Sequence, residues 1–273
     1  MINLAARVAP ERLYTDNPPL ILSIGGITYG EVMIHYHGTP ISGKAEDAAR
    51  FLPKRHALVS FAYPSQIGIV ADVCQSFVLD NGAFTVWKKG GQLDLEGYYT
   101  FVDHWHKHPC FDWALIPDVI DGDEDDNDKL LQQWPNHLEG VPVWHLHESL
   151  DRLNRLSRDY KRVALGSSGE WPTPNAAKWW LRMSEVMDAF CDEQGRPPCK
   201  LHGLRMLNPK VFTRLPLASA DSTNAGVNSG AKERFGMYTP PTSGQRANVI
   251  ADRIEAHNSA PVWEREPQGS LQW

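Results

Sequence analysis

Two aspartates stand where an apolar run breaks off into polar residues: Asp80 within Leu79-Asp80-Asn81-Gly82-Ala83-Phe84, and Asp221 within Ser219-Ala220-Asp221-Ser222-Thr223-Asn224. If both runs are strands whose ends meet across one mouth, the two carboxylates flank a single bound sugar or base. One can then attack a glycosidic carbon while the other moves the proton. Taken singly, each also suits a turn, because Asp before Asn-Gly or Ser-Thr closes its own backbone. Asp118 and Asp121 end a third run, Ile116-Pro117-Asp118-Val119-Ile120-Asp121. Either could accept from a donor-rich ligand edge, such as the N–H face of a guanine-like base, and pattern alone does not separate them. Asp123 to Asp126 read instead as the acidic start of a helix.

The histidines point to a different chemistry. His35-x-His37 follows the first apolar run and resembles the metal-binding pair of amidohydrolase barrels, and His145-x-His147 ends the fifth. Such an enzyme also needs a bridging Lys at strand four and a His at strand six. Those strands end in Asp118-Val119-Ile120-Asp121 and Gly166-Ser167-Ser168-Gly169, so the expected ligand count is short and no metal site is predicted. Gly166 to Gly169 make a small turn whose N–H groups could hold a carbonyl or phosphate oxygen. Glu148, Glu170, His202 and Arg205 are further strand-end candidates, Arg205 equally suited to a structural salt bridge. The tryptophans read mainly as core, with Trp144 and Trp171 near enough to strand ends to stack on a base.

The elements that must position these groups are eight apolar runs: 32–38, 57–65, 76–84, 112–122, 141–148, 162–170, 200–206 and 215–225. An apolar run bounded by turn signals reads as a buried strand. Between several of them lie amphipathic stretches at 98–108, 127–138, 150–160, 175–194 and 246–259 that read as helices. Strand and helix alternating eight times predict a single (β/α)8 TIM-type barrel over residues 1–273. Its active site is built at the C-terminal ends of the strands, where the Asp, His and Glu residues accumulate. Residues 1–28 read as a short N-terminal appendage, a lid or hairpin across the barrel floor. Residues 226–245, rich in Gly, Pro, Ser and Asn, read as a loop over the mouth that closes on substrate.

The bulk numbers bound the answer. A chain of 273 residues matches one such barrel, and 42% hydrophobic with 22% charged residues is ordinary globular composition. A net charge of −6 argues against broad charge-driven nucleic-acid binding and leaves room for a local basic groove. Four scattered cysteines without a CxxC pair, no secretory pattern at the N-terminus and no apolar stretch near the ~20 residues of a membrane span predict a cytoplasmic protein.

The strand-end motifs, taken in order over about residues 30–225, resemble the queuine tRNA-ribosyltransferase superfamily. The likeness is strongest to its relatives in phages and bacteria that insert 7-deazaguanines into DNA. Leu79-Asp80-Asn81-Gly82-Ala83-Phe84 looks like the family's Asp-Ser-Gly-Gly-Phe motif, and Pro117-Asp118 stands where the family has a base-binding Asp. Ala164-Leu165-Gly166-Ser167 resembles its glycine-rich base contact, and Ala220-Asp221-Ser222-Thr223-Asn224-Ala225 its nucleophile segment. The family's three-cysteine zinc cluster and its basic tRNA-binding extension are missing. Its Gln-Gly-Gly segment is replaced by Trp144-His145-Leu146-His147-Glu148.

The resemblance implies a transglycosylase exchanging guanine in DNA, or alternatively tRNA, for a 7-deazaguanine co-substrate, without a cofactor. Asp221 would be the nucleophile and Asp80 the acid/base. Asp118, Asn81, Gly166, Ser167 and His145 would hold the purine, and His37, Arg205 and Asn224 would meet the nucleic acid. It also places the protein in the cytoplasm, that of the host if the chain is phage-encoded. Two other readings stand beside it: a metal-dependent hydrolase using His35, His37 and Asp221, and a non-catalytic barrel that binds a nucleobase or nucleic acid.

Overall fold

Each apolar run supplies one parallel strand: β1 (Ile34–Gly38), β2 (His56–Ser60), β3 (Ser76–Asp80), β4 (Phe111–Leu115), β5 in two halves (Gly140–Val141 and Val143–His145), β6 (Arg162–Gly166), β7 (Lys200–Gly203) and β8 (Ser219–Ser222). The computed structural model describes residues 32–265, together with a two-residue antiparallel ladder pairing Ser23–Ile24 with Ile27–Thr28. That ladder falls within the expected N-terminal hairpin, whose remainder and whose place on the barrel lie outside the described residues.

The division of β5 closes the barrel. Pro142 has no N–H to give a ladder. Val141 pairs with Leu115 of β4 on one side of it, and Val143 with Ala164 of β6 on the other. The sheet therefore runs from one half of β5 around through β4, β3, β2, β1, β8, β7 and β6 to the other half. All of its ladders are parallel, and helices connect the strands, which makes it a (β/α)8 barrel. Among the described residues no helix is long and apolar enough to cross a membrane.

Period-2 alternation sorts side chains between two compartments. Tyr36, Leu58, Val78, Trp113, Leu115, Val141, Val143 and Ala164 fill the interior. Their neighbours along the strands face the helical layer. Ala57, Val59, Phe77, Leu79, Ala114 and Ile116 pack on α1 (Ala45–Phe51), α2 (Ile67–Val73) and, beyond the six-residue α3 (Ala83–Lys88), on α4 (Leu95–Trp105). Trp144, Val163, Leu165, Leu201 and Ala220 pack on helices that come after α5 (Glu124–Gln133), namely α6 (Leu150–Asp159), α7 (Ala177–Phe190) and α8 (Pro209–Phe212).

The starts of α4 and of the helix predicted at 246–259 lie three residues earlier than the apolar pattern predicts, because their capping turns are polar. By contrast, α5 begins within the acidic segment read as its start, α6 begins as predicted and α7 two residues later. Asp94 caps α4 by accepting from Gly97 N, and Asp123 caps α5 by accepting from Asp126 N. Pro135, inside the predicted 127–138 helix, lies just past the observed end of α5. The segment expected as a loop at 226–245 is more structured than its composition suggests. It holds most of α9 (Asn224–Asn228), a 3-10 run at Lys232–Tyr238 and the start of α10 (Ser243–Glu255), where Thr242 and Gln245 form a capping box.

Candidate active site

One cavity of about 820 Å³ opens at the C-terminal ends of the strands. Asp80, Asn81, Asp118, His145, Gly166, Ser167, Arg205 and Asp221 all line it. These residues come from six different strand ends, so only the closed barrel brings them together.

Asp80 ends β3 in a tight turn. Gly82 adopts φ +79° and its N–H donates to Asp80 Oδ2 at 3.1 Å. A side chain at Gly82 would press on the Ala62 backbone at 3.0 Å, so the Asn-Gly step is required for this close approach. Asp80 therefore closes a turn and lines the cavity at once. Withdrawal from water raises its pKa to about 6. The nearby charges of Asp221 and Asp118 add to that rise, against the hydrogen bonds from Ser60 and Gly82. A carboxyl so tuned exchanges its proton close to neutral pH.

Asp118 and Asp121 separate cleanly. Asp118 is buried in the cavity wall, where Oδ1 accepts from Asn81 Nδ2 at 2.8 Å and Oδ2 lies 2.9 Å from His145 Nε2. Asp121 accepts from Trp87 Nε1 at 2.7 Å near the surface, outside the cavity lining. Asn81 is fully committed. Its Oδ1 accepts from Ala83 N and its Nδ2 also donates to Ile116 O, so its amide orients Asp118. His145 is 2% exposed, and its Nδ1 has no partner among the described residues. Gly166 makes room for it, since a Cβ there would meet His145 Nδ1 at 2.6 Å. Ser167 lines the cavity, but its hydroxyl accepts from Trp179 Nε1 of α7.

On the opposite wall, Asp221 Oδ1 accepts from the Arg205 backbone N–H at 3.0 Å and lies 3.3 Å from His202 Nε2. His202 is fully buried beneath it. Burial lowers the His202 pKa against the pull of Asp221, so the ring is neutral and carries one N–H. A carboxylate can only accept, which puts that hydrogen on Nε2 and leaves Nδ1 to accept from the Ser219 hydroxyl at 2.9 Å. Ser219 Oγ accepts in turn from Arg162 Nη1 at 2.7 Å. Donation therefore runs up the barrel from Arg162 through Ser219 and His202 to Asp221. Among the described residues no donor engages Asp221 Oδ2. Arg205 holds φ +58°, a left-handed conformation costing about 1 kcal/mol for a residue with a Cβ, and this is the turn that aims its N–H at Asp221. Its guanidinium bridges the mouth to Ser167 O at 2.7 Å and lies 4.3 Å from the Phe84 ring centroid.

Several sequence candidates stand elsewhere. His37, expected to meet nucleic acid, is 1% exposed and lies 2.8 Å from Glu255 of α10. It and His35 are odd members of β1 and face the helical layer, whereas Tyr36 and Gly38 face inward. His35 and His37 thus share no site with Asp221, as the hydrolase reading required. Among the described residues, no three His, Cys, Asp or Glu side chains gather as a metal-binding group. Asn224 begins α9, where its Oδ1 accepts from Asn228 Nδ2, and its neighbours Ser222 and Thr223 line the cavity in its place. Glu148 is a buried partner of Arg152 at 2.7 Å, and it also accepts from Asn127 and the His145 backbone, so it braces the wall. Glu170 pairs with Lys178 at the surface, and Trp144 packs into the helical layer with α6 and α7.

Residues missed by the sequence reading line the same mouth: Ser60 from β2, Tyr63 from the turn after it, and Phe84, Lys88 and Lys89 from α3 and its end. Ser60, Tyr63 and Phe84 are polar or aromatic members of the runs 57–65 and 76–84, the same signal as Asp80, whereas Lys88 and Lys89 lie beyond any run. A comparison of the chain with protein-family models, with curated proteins and with solved structures gives no match.

Proposed function

We propose that this barrel is a transglycosylase that exchanges guanine in DNA for a 7-deazaguanine base through a covalent aspartyl-nucleoside intermediate. The observation that carries the reading is the pairing, in one cavity, of a carboxylate held by two donors with a carboxyl whose pKa is raised to about 6. Two strand-end acids in settings this different divide into nucleophile and acid/base. The order of the strand-end motifs, which resembles the queuine tRNA-ribosyltransferase superfamily, supports the choice of base and sugar.

In the first displacement, Asp221 Oδ2 attacks C1′ of a deoxyguanosine. The C1′–N9 bond breaks, and its electron pair leaves with guanine, which takes a proton from Asp80. In the second, N9 of the 7-deazaguanine attacks C1′, its N–H proton passes to Asp80, and the Asp221 carboxylate departs. Asp80 ends as it began, and the sugar keeps its configuration after two inversions. Asp118 accepts from the N–H edge of the purine, with Asn81 and His145 fixing the carboxylate. The backbone of Gly166 and Ser167 faces the same ring. Raising a base to the cavity requires that it leave the helical stack, which costs a few kcal/mol in a duplex.

The test is release of labelled guanine from DNA, and separately from tRNA, on addition of unlabelled 7-cyano-7-deazaguanine. Release from DNA that disappears in Asp221→Asn is the expected result. Release from tRNA alone moves the acceptor to RNA, and no release from either, in folded protein, overturns the reading.

A further inference from the structure

The mouth of the cavity is electrostatically divided. Its floor carries three carboxyl side chains, Asp80, Asp118 and Asp221, while one rim carries Lys88 and Lys89 at the end of α3. Beside the lysines stand two aromatic rings, Tyr63 and Trp87, each 44% exposed. Lys89 Nζ donates to the Tyr63 hydroxyl at 3.0 Å and lies 5.1 Å from its ring centroid. Lys88 is exposed and makes no ion pair among the described residues. A chain with a net charge of −6 thus places paired cations and open aromatic rings at the edge of an acidic cavity.

A phosphate is repelled by the floor and attracted by the rim, whereas a neutral, donor-rich base is suited to the floor. A ligand that meets both demands carries anionic groups on either side of a neutral heterocycle. That is a nucleotide within a strand. Exposed rings next to the lysines add sequence-tolerant stacking, which requires bases that are not already stacked in a duplex.

We infer that the α3 rim is the docking surface for a single-stranded segment of DNA, with Lys88 and Lys89 on the phosphates flanking the target nucleotide and Tyr63 stacked on an adjacent base. The identity of the strand as DNA rests on the proposed function, while the interface itself rests on the rim. Two lysines neutralise about two phosphates, a small footprint in keeping with the acidic remainder of the chain.

Fluorescence anisotropy of the full chain with a labelled guanine-containing single-stranded DNA, over a salt series, tests this. Lys88→Ala/Lys89→Ala should bind at least roughly tenfold more weakly at low salt. Its log K against log salt slope should be shallower by about 1.4, at ~0.7 for each phosphate contact on a single strand. Tyr63→Leu should weaken binding several-fold with the slope retained, and Lys129→Ala, an exposed lysine of α5, should match the parent. Unchanged affinity and slope in the double variant overturn the interface, even if guanine exchange is intact. Tighter binding of an RNA of the same sequence overturns DNA as its occupant. Lysine-dependent DNA binding without guanine release supports the interface and overturns the transglycosylase reading.

Discussion

The two walls of the cavity present the same chemical group in opposite settings. On the β3–β5 wall, Asp80 is withdrawn from water beside two other carboxyl groups, and its charged form is penalised. On the β7–β8 wall, Asp221 receives one backbone N–H and the end of a donor chain that begins at Arg162. Desolvation and like charge govern the first wall, and directed donation governs the second. An aspartate at a strand end is therefore not yet a role. Its neighbours, contributed by strands distant in sequence, decide whether its charged form is penalised or its oxygens are held by donors.

The sharpest way to break this comparison is to neutralise each acid in turn. Asp221→Asn should reduce exchange by about 10⁴-fold or more, since the nucleophile has no substitute, with the melting temperature little altered. Trapping of a covalent protein–DNA adduct should vanish with it. Asp80→Asn should cost about 10²–10⁴-fold and remove the limb of the rate profile centred near pH 6.

Asp80 also makes a stability prediction whose sign is opposite to that of a paired acid. Its folded pKa, about 6, lies above the ordinary aspartate value of 3.8, so the folded state holds the extra proton between those values. Stability should fall as pH rises from about 4 to about 6 and level off above it. Asp80→Asn, unable to ionise, should lose that slope and gain about 1–2 kcal/mol at pH 7, after allowance for solvent at the mouth. Denaturant melts of both proteins at pH 4.5 and pH 7.5 measure the difference. Equal losses at both pH values would contradict the assignment of the raised carboxyl to Asp80.

His202 sharpens the other wall. His202→Leu should lower kcat by roughly 10–100-fold, the usual range for a hydrogen-bonded charge left with one donor fewer, with KM nearly unchanged because the ring lies below the cavity. His202→Gln, which retains an N–H at that height, should recover part of the loss. The smallest effect belongs to His37→Ala on the outer face of β1. It removes the contact to Glu255 and should lower stability by about 1 kcal/mol while leaving guanine exchange unaltered. A large loss of exchange there would mean that the outward histidines matter to the chemistry after all.

Much of this is legible in the sequence. Every expected strand appears, because a strand buried on both faces is predominantly apolar and each run carried enough of that signature, although β1 with His35 and His37 and β8 at Ser219–Ser222 hold polar residues. Asp80, Asp118 and Asp221 were found by position at the ends of those runs, and all three line the cavity. The starts of α4 and α10 were less legible, since the capping turns at Asp94 and Thr242 are polar and read as loop until the cap geometry is seen, whereas the acidic run Asp123 to Asp126 announced the start of α5. Arg205 was visible as a strand-end residue. Its function as a backbone donor was not, because a left-handed φ in a residue with a side chain leaves no mark in composition.

His35 and His37 mark the boundary between the two kinds of knowledge. Their spacing places both on the same face of β1, and the sequence by itself determined that much, along with the alternation of strand and helix and the identity of the strand-end acids. Which face that is, barrel interior or helical layer, depends on which parity of eight strands packs inward together. Only tertiary structure decided this, by enclosing Tyr36 with Leu58, Val78 and Trp113 and turning His37 toward α10 and His35 onto Phe212 of α8. The same closure set Asp80, Asp118 and Asp221 within reach of one another's charge. Coulombic and desolvation effects act through space, and neither is written along a chain.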